Sequence, residues 1–360
     1  MQKKLIALAV AGAAAGFTSA PVLAQSQVSV YGVIDVGIES GKYSDAAGNL
    51  TRVISGGNTT NRLGFKGSED LGNGLKANFM LEHQPNPDTG GTASANFWHR
   101  TSTVGLSSSS WGSVNLGRQY TPWFSAFASQ DIFHTAGVGT NYTLMVGDTR
   151  MSNSIRYDSV NINGFNFTAI YGFGETTNNA AGVAVATDGA QEGTTAANKK
   201  AGQEVGLKIS YANGPFTAHY GYDKQKANTA LGAVPDTDIT RNQLNASYDF
   251  KVAKLVAGWN SNKQSSNLAD QRAWFIGGVI PVFGKDFVNI EYTKMNNKLV
   301  NNADAKLIAI EYEHPMSKRT TLYGTYAKLN NDGAAALSFG PGVAAGYDPS
   351  ALQLGLRHAF

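Results

Sequence analysis

The sequence predicts an all-β fold, a 16-stranded antiparallel transmembrane β-barrel with an inward-folded third long loop. Three observations lead to this prediction. Segments with period-two alternation recur along the chain, and we count sixteen of them. Short and long connections alternate between these segments. The last segment, 350–360, has a leucine face, a polar face and an aromatic final residue. Because lipid offers no hydrogen-bond partners, a β structure that spans a membrane must close on itself, which favours a barrel.

The first residues have the features of a secretory signal peptide. A basic start, 1–4, precedes an apolar stretch, 5–17, that is too short to span a membrane, and the small residues at 22–24 fit a cleavage site. The sequence therefore divides into a signal peptide, 1–24, and a barrel domain, 25–360.

The composition excludes several classes of protein. The chain has 29 Lys and Arg against 26 Asp and Glu, and two of the lysines lie in the signal peptide, so the barrel domain is nearly neutral and no nucleic-acid partner is expected. The absence of cysteine excludes a disulfide scaffold and thiolate metal sites. With 41 Gly, 15 Tyr, 17 Phe and 15% charged residues, the chain is unlike an ordinary soluble α/β enzyme. After residue 24 no run of 18 apolar residues supplies a transmembrane helix.

Sixteen strands are predicted from the alternation of apolar and polar residues. In one of the clearest, Val205, Leu207 and Ile209 alternate with Glu204 and Lys208. A few other segments alternate less regularly and are identified from their place in the series. The predicted strands are 27–40, 59–68, 74–84, 97–108, 111–119, 152–159, 164–173, 203–212, 215–226, 241–250, 253–264, 271–281, 286–296, 304–314, 318–329 and 350–360.

The connections indicate how the strands are arranged. Tight turns rich in Gly, Asn, Ser or Pro, such as 70–74 and 161–164, alternate with long connections. This order is typical of an up-and-down barrel with turns at one rim and loops at the other, and a soluble sandwich has no reason to keep it. The long connections are predicted at 41–58, 85–96, 120–151, 174–202, 227–240, 265–270, 297–303 and 330–349.

The connection at 120–151 is the candidate for a loop that folds into the barrel. It contains Trp123, Phe127 and Phe133 among other apolar residues, which favour packing over exposure to water. A barrel of sixteen strands is too wide for its own side chains to fill and leaves an aqueous channel. We therefore expect this loop to pack against the inner wall and to narrow the channel.

Four segments of the barrel domain carry a family resemblance. They are QSQVSVYGVID at 25–35, NRLGFKGSEDLG at 61–72, GRQYTPW at 117–123 and the terminal Phe360. In this order they resemble the general diffusion porins of β-proteobacteria, such as those of Neisseria, Burkholderia and Comamonas. The resemblance implies a homotrimer whose pores pass small hydrophilic solutes and inorganic ions across the outer membrane. The expected partners are outer-membrane lipid and lipopolysaccharide and the barrel assembly machinery, and no cofactor is expected.

The resemblance also implies which residues form the pore constriction. The family carries an arginine cluster on the barrel wall, and the corresponding residues here are Arg62, Arg100 and Arg156. Strand parity supports Arg62 and Arg156 independently, because each shares a face with polar or small residues, whereas Arg100 shares parity with apolar ones. Arg118 is a further constriction candidate. Lys66, Lys76 and Lys208 are candidates for the rest of the channel wall.

The acidic side of the constriction is depleted in this sequence. In the family, acidic residues on the inner loop face the arginines, and Asp131 is the match here. A second acidic position is occupied by Thr135, and Asp148 is a candidate replacement. Clustered basic side chains in a narrow channel select ions by charge. We therefore expect a preference for anions that weakens as salt concentration rises.

Two other functions compete with that of a general pore. An outer-membrane enzyme is disfavoured because the six histidines are scattered and neither HExxH nor GxSxG occurs. A solute-specific channel stays open, since such channels often place a ladder of basic residues along the channel wall. Basic residues that share polar strand faces here are Lys66, Lys76, Lys208, Arg118 and Arg357. The sequence leaves an adhesin or receptor role undecided. It shows no metal-ligand spacing, although clustered loop carboxylates could hold calcium weakly.

The two ends of the barrel domain are expected to meet. Pairing of strand 350–360 with strand 27–40 would remove both free edges of the sheet. The resemblance adds that the aromatic residue at the end, Phe360, serves as the assembly signal for insertion into the outer membrane.

Overall fold

The structure of the chain is a computed structural model that describes residues 27–44, 48–145, 147–173, 202–226, 238–265 and 269–360. The predicted signal peptide, 1–24, lies outside the described residues, as do most of the predicted connections 174–202 and 227–240. No helix in the described part of the chain is long and apolar enough to cross a membrane.

Strands of one continuous antiparallel sheet make up most of the described chain. They are β1 (Gln27–Lys42), β2 (Asn49–Ser55), β3 (Arg62–Gly72), β4 (Leu75–His83), β5 (Thr101–Ser108), β6 (Gly112–Tyr120), β7 (Arg150–Asp158), β8 (Phe165–Gly172), β9 (Glu204–Asn213), β10 (Phe216–Lys226), β11 (Asp238–Asp249), β12 (Lys254–Gln264), β13 (Ala269–Val282), β14 (Asp286–Asn297), β15 (Ala305–Pro315), β16 (Thr320–Asn331) and β17 (Ser350–Ala359). The remaining described elements are a helix, α1 (Pro122–Ala128), a 3-10 turn at Asn141–Thr143, and a small hairpin of Pro85–Asn86 and Gly91–Thr92.

Two of these strands share one position in the barrel wall. β2 pairs with the second half of β1, and β3 pairs with its first half. The seventeen described strands of the sheet therefore fill sixteen positions, and antiparallel pairing of β1 with β17 closes the ring. Closure satisfies the backbone groups of both edges, which lipid cannot do. The predicted 16-stranded antiparallel barrel is confirmed.

The sixteen predicted strands all coincide with wall strands, and their ends agree to within four residues. The prediction of a continuous loop at 41–58 was wrong, because 49–55 forms β2. The wall is interrupted after β2, where the carboxylate of Asp35 accepts hydrogen bonds from the backbone nitrogens of Asn58 (2.9 Å) and Thr59 (2.6 Å). This inward bend breaks the alternation, so periodicity alone does not join β2 to β3.

The two faces of the wall differ, as expected for a barrel in lipid. On β17, Leu352, Leu354 and Leu356 are exposed on the outside, whereas Ala351 and Gln353 are buried on the inside. β15 alternates in the same way over most of its length. An apolar outer face with period two is what a membrane barrel requires, and the predicted leucine face of the last strand is confirmed.

Tight hairpin turns join strands at one rim of the barrel. Asn73 and Gly74 connect β3 to β4 with φ angles of 52° and 76°, and Asn163 and Gly164 precede β8 with φ angles of 54° and 92°. Two consecutive left-handed residues match the twist of a hairpin, and Asn and Gly adopt that conformation at low cost. The predicted order of short and long connections follows from this geometry.

The segment between β6 and β7, described over 121–145 and 147–149, folds into the barrel and is called the inner loop below. It begins at Thr121, whose side-chain oxygen caps α1 by accepting a hydrogen bond from the nitrogen of Phe124 at 3.1 Å. Pro122 occupies the first turn of the helix, where its missing N–H costs nothing. The helix then lies against β9, β10 and β11.

Candidate functional site

The inner loop is held in the barrel by an apolar core. Trp123 and Phe127 of α1 are fully or almost fully buried, and they belong to one cluster with the wall residues Phe275 and Leu307. Burial of such large side chains contributes roughly 1.5–3 kcal/mol each. The loop therefore rests against one side of the barrel, and the expectation that it packs on the inner wall is confirmed.

Polar wall side chains add hydrogen bonds to the loop backbone. The Asn245 amide donates to the carbonyl of Ala126 at 2.7 Å, and the Asn289 amide donates to the carbonyl of Ile132 at 3.2 Å. Gln353 on the last strand accepts a hydrogen bond from a loop amide at 3.2 Å. Because these contacts come from three separate strands, they fix the loop at several points along its length.

A cavity of about 470 Å³ lies on the side of the barrel formed by β1 and β3 to β7. Its basic lining residues are Arg62, Lys66 and Arg156, and its acidic ones are Glu82 and Asp158. All five project from inward faces of strands. The sequence prediction of Arg62, Lys66 and Arg156 on the channel wall agrees with this geometry.

Tyr120, the last residue of β6, brings three arginines together. Its hydroxyl accepts hydrogen bonds from Arg100 Nη2 at 2.9 Å and Arg150 Nη2 at 2.7 Å, and its carbonyl accepts one from Arg156 Nη1 at 3.0 Å. The guanidinium of Arg150 also lies 4.3 Å from the centre of the Tyr120 ring, a cation–π contact. The tyrosine thereby holds like charges close together.

Ion pairs neutralise some of these arginines and leave other basic residues unpaired. Arg100 Nε lies 2.6 Å from Glu82 Oε1, and Arg156 makes a bidentate contact with Asp158 at 2.8 and 2.7 Å. Within the described residues, no salt bridge is formed by Arg62 and Lys66, which line the cavity, or by Arg150, which contacts the lining residue Tyr120. The wall facing the cavity therefore carries a net positive charge.

His99, which precedes β5, lies in this positive field. Burial lowers the pKa of its imidazole below the ordinary value, and the nearby charges of Arg150, Arg100 and Arg118 lower it further. A neutral imidazole adds no further positive charge to the cluster at neutral pH.

Arg118 does not line the cavity, in contrast to the prediction. It shares the outward face of β6 with Leu116, which is 47% exposed. Its guanidinium donates to the hydroxyl of Ser152 at 2.7 Å and to the carbonyl of His99. The reason is parity, since side chains two residues apart on a strand point to the same face.

Asp131 has a structural position within the inner loop. Its carboxylate accepts hydrogen bonds from the nitrogens of Phe133 (2.9 Å) and Thr135 (3.1 Å) and from the hydroxyl of Thr140 (2.6 Å). Burial raises the pKa of this carboxyl group. The carboxylates that pair with the arginines are instead Glu82 and Asp158, and both belong to the wall.

The three predicted lysines all lie on inward strand faces. Lys66 Nζ lies 5.1 Å from the centre of the Tyr31 ring. Lys76 shares the inward face of β4 with Glu82, and Lys208 lies on the inward face of β9. Only Lys66 among them lines the described cavity.

Sequence reasoning missed several residues of this wall. Arg150 fell inside the predicted loop 120–151, because the strand begins two residues earlier than its alternation indicates. Glu82 meets Arg100 from a neighbouring strand, and one sequence does not reveal such a pairing. Parity places Asp158 on the same face as Arg156, but the sequence prediction did not include the ion pair between them. Nothing in the sequence indicates the role of Tyr120.

Comparisons with known proteins agree with this architecture. A family model described as Gram-negative porin matches residues 7–334. The chain is 35% identical to outer membrane porin protein 32 of Delftia acidovorans over the whole of both chains, and 30% identical to an outer membrane porin protein of Bordetella pertussis over 91% of this chain and 94% of that one. Among solved structures, it resembles an anion-selective porin from Comamonas acidovorans with a TM-score of 0.79 and 32% identity, over 93% of this chain and 100% of the other.

Proposed function

Because this chain belongs to the Gram-negative porin family, we propose that its channel favours anions through the basic wall beside the inner loop. The protein is an outer-membrane porin for passive diffusion of small hydrophilic solutes and ions, and it is not an enzyme. The proposal concerns the charge preference of that diffusion and the residues that create it.

The observation that carries the proposal is the imbalance of charge at the cavity. The lining residues Arg62 and Lys66 form no salt bridge within the described part of the chain, nor does Arg150, which contacts the lining residue Tyr120. Glu82 and Asp158, in contrast, are already paired with arginines. Two unit charges ~4 Å apart interact by ~1 kcal/mol in water and ~4 kcal/mol at an effective dielectric constant near 20. A narrow passage between low-dielectric walls therefore amplifies a modest excess of positive charge.

The constriction residues proposed from this geometry differ in role. Arg62 and Arg156 line the cavity and meet permeating ions, together with Lys66. Arg100 is 3% exposed and acts by neutralising Glu82. The resemblance to a Comamonas porin described as anion-selective supports the same sign of preference.

Liposome swelling with solutes of equal size tests the proposal. A neutral sugar, its carboxylate and its amine have nearly the same dimensions, so their relative rates report charge preference rather than pore width. At equal concentrations, we expect the carboxylate derivative of the sugar to enter the liposomes fastest and the amine derivative to enter slowest. Equal rates for all three would remove the case for charge selection, and saturation by one solute would favour a solute-specific channel.

The homotrimer is part of the proposal. Arg118 and Ser152 place polar groups on the outward face of β6 and β7, and a charged residue facing lipid is costly. A neighbouring copy of the chain would cover this face. Cross-linking of the protein in outer-membrane vesicles should give a three-chain species, and a monomer under all conditions would count against it.

Export and assembly complete the proposal. The leader 1–24 directs export across the inner membrane. The barrel assembly machinery then inserts the chain into the outer membrane, where its partners are lipid and lipopolysaccharide. Phe360 is proposed as the assembly signal. Its backbone pairs with Gly32 in both directions, at 3.2 and 3.1 Å, and its ring lies over Gly32, where any larger residue would clash. Mass spectrometry should show that the mature protein begins at Gln25. The substitution Phe360→Ala should lower the amount of porin in the outer membrane much more than it lowers single-channel conductance.

A further inference from the structure

The tip of the inner loop meets two carboxylates of the barrel wall. His134 Nε2 lies 2.7 Å from Glu313 Oε1, and Glu311 is two residues earlier on the same inward face of β15. One ligand atom from each of these three residues lies within 4.8 Å of the other two. The loop and the wall thus contribute to a single cluster, which is separate from the basic wall described above.

The donor set of this cluster is that of a transition-metal site. One imidazole nitrogen and two carboxylate oxygens are ligands that Zn²⁺ binds in tetrahedral sites with water in the remaining position. Ca²⁺ and Mg²⁺ prefer oxygen ligands alone, so the histidine disfavours them. A divalent cation would add to the positive charge of Arg357, which donates to Asn58 Oδ1 at 2.7 Å beside the two carboxylates.

Neighbouring side chains hold both carboxylates in place. Glu311 accepts hydrogen bonds from Thr325 Oγ1 at 2.6 Å and from the amides of Asn58 and Asn289 at 3.1 Å each. The same amides reach Glu313 Oε1 at 3.2 and 3.4 Å. Partners of this kind orient metal ligands and reduce the cost of ordering them on binding.

The cluster opens onto water on one side. A cavity of about 290 Å³ is lined by His134, Glu313 and Asp131, together with Lys254 of β12. The side chain of His134 is 40% exposed. The cavity supplies an entry path for an ion and room for the waters that complete its coordination.

We propose that His134, Glu311 and Glu313 bind a divalent transition metal of the Zn²⁺ class, with water as the remaining ligand. The metal joins the tip of the inner loop to β15. The metal thereby restrains the loop that narrows the channel. It does so by joining His134 and Glu313, which are 179 residues apart in sequence.

Calorimetric titration of Zn²⁺ into the chelator-treated, detergent-folded porin tests the proposal. We expect one saturable site per chain in the wild type. His134→Ala and Glu313→Gln should each weaken binding at least tenfold, as should the nearly isosteric Glu311→Gln. His219→Ala is the matched control, because this histidine also faces the channel but bonds to Ser210 Oγ at 2.9 Å and should leave binding unchanged.

Two results would overturn the proposal. One is the absence of saturable Zn²⁺ binding to the wild type, and the other is wild-type affinity in His134→Ala. Each variant is first shown to be folded by its heat-modifiable migration on gels, so that a loss of binding reports the site. Electron paramagnetic resonance with Cu²⁺ as the probe gives a second readout. The wild-type spectrum should show coupling to one imidazole nitrogen, and that coupling should be absent in His134→Ala.

Discussion

Removal of the unpaired charge at Arg62 should weaken the preference for anions by a calculable amount. An ion ~6 Å from a unit charge interacts with it by ~0.7 kcal/mol in water. A Debye length of ~8 Å reduces this to ~0.3 kcal/mol at physiological salt. Since anion and cation respond with opposite signs, Arg62→Ala should change their difference by ~0.7 kcal/mol, or about threefold in permeability ratio. Low-dielectric walls would make the change larger.

The assay is the reversal potential in planar bilayers under a KCl gradient. Arg62→Lys keeps the charge and should retain most of the selectivity. Arg319→Ala removes an arginine from the turn before β16, away from the cavity, and should behave as the wild type. If Arg62→Ala gives the same permeability ratio as Arg319→Ala, the assignment of Arg62 to the constriction is wrong.

Three further predictions follow from individual contacts. Asp158→Asn should free Arg156 from its bidentate partner and raise the anion-to-cation permeability ratio by about threefold, by the same estimate; an unchanged reversal potential would show that Arg156 does not meet the ions. Phe127→Ala should destabilise the docked inner loop by about 3–5 kcal/mol, since the side chain is 1% exposed, and should increase open-channel noise, whereas Phe250→Ala on the exposed surface should not. The lowered pKa of His99 means that the folded state resists its protonation. The stability contributed by neutral His99 is therefore complete above pH ~6.5 and is lost as pH falls below that value. The unfolding temperature should be lower at pH 5 than at pH 7, and this drop should be smaller in the neutral variant His99→Gln.

The barrel was predictable because its signals are local. Alternation depends on residues two apart, and turn signals such as Asn73-Gly74 depend on neighbouring residues, so each strand could be located from a short window. The inner loop was predictable for a similar reason, since Trp123 and Phe127 are too apolar for a water-exposed segment. The break between β2 and β3 was not, because it depends on Asp35, which lies more than twenty residues away in sequence.

The site was predictable only where a single strand defines it. Parity placed Arg62 and Arg156 on the channel wall, and the same rule, applied to Leu116, would have placed Arg118 on the outside. The arginine hub at Tyr120 and the pairing of Arg100 with Glu82 join residues from different strands. Such contacts depend on register, which one sequence does not show.

The most direct measurement is the wild-type reversal potential under a tenfold KCl gradient, recorded once at low and once at high salt. A net positive wall predicts a reversal potential that favours anions at low salt. The selectivity should disappear as the salt concentration rises, because the Debye length falls from ~30 Å at 0.01 M to ~3 Å at 1 M. A cation-favouring potential, or a selectivity that does not change with salt, is incompatible with selection by the charges of Arg62, Lys66 and Arg150.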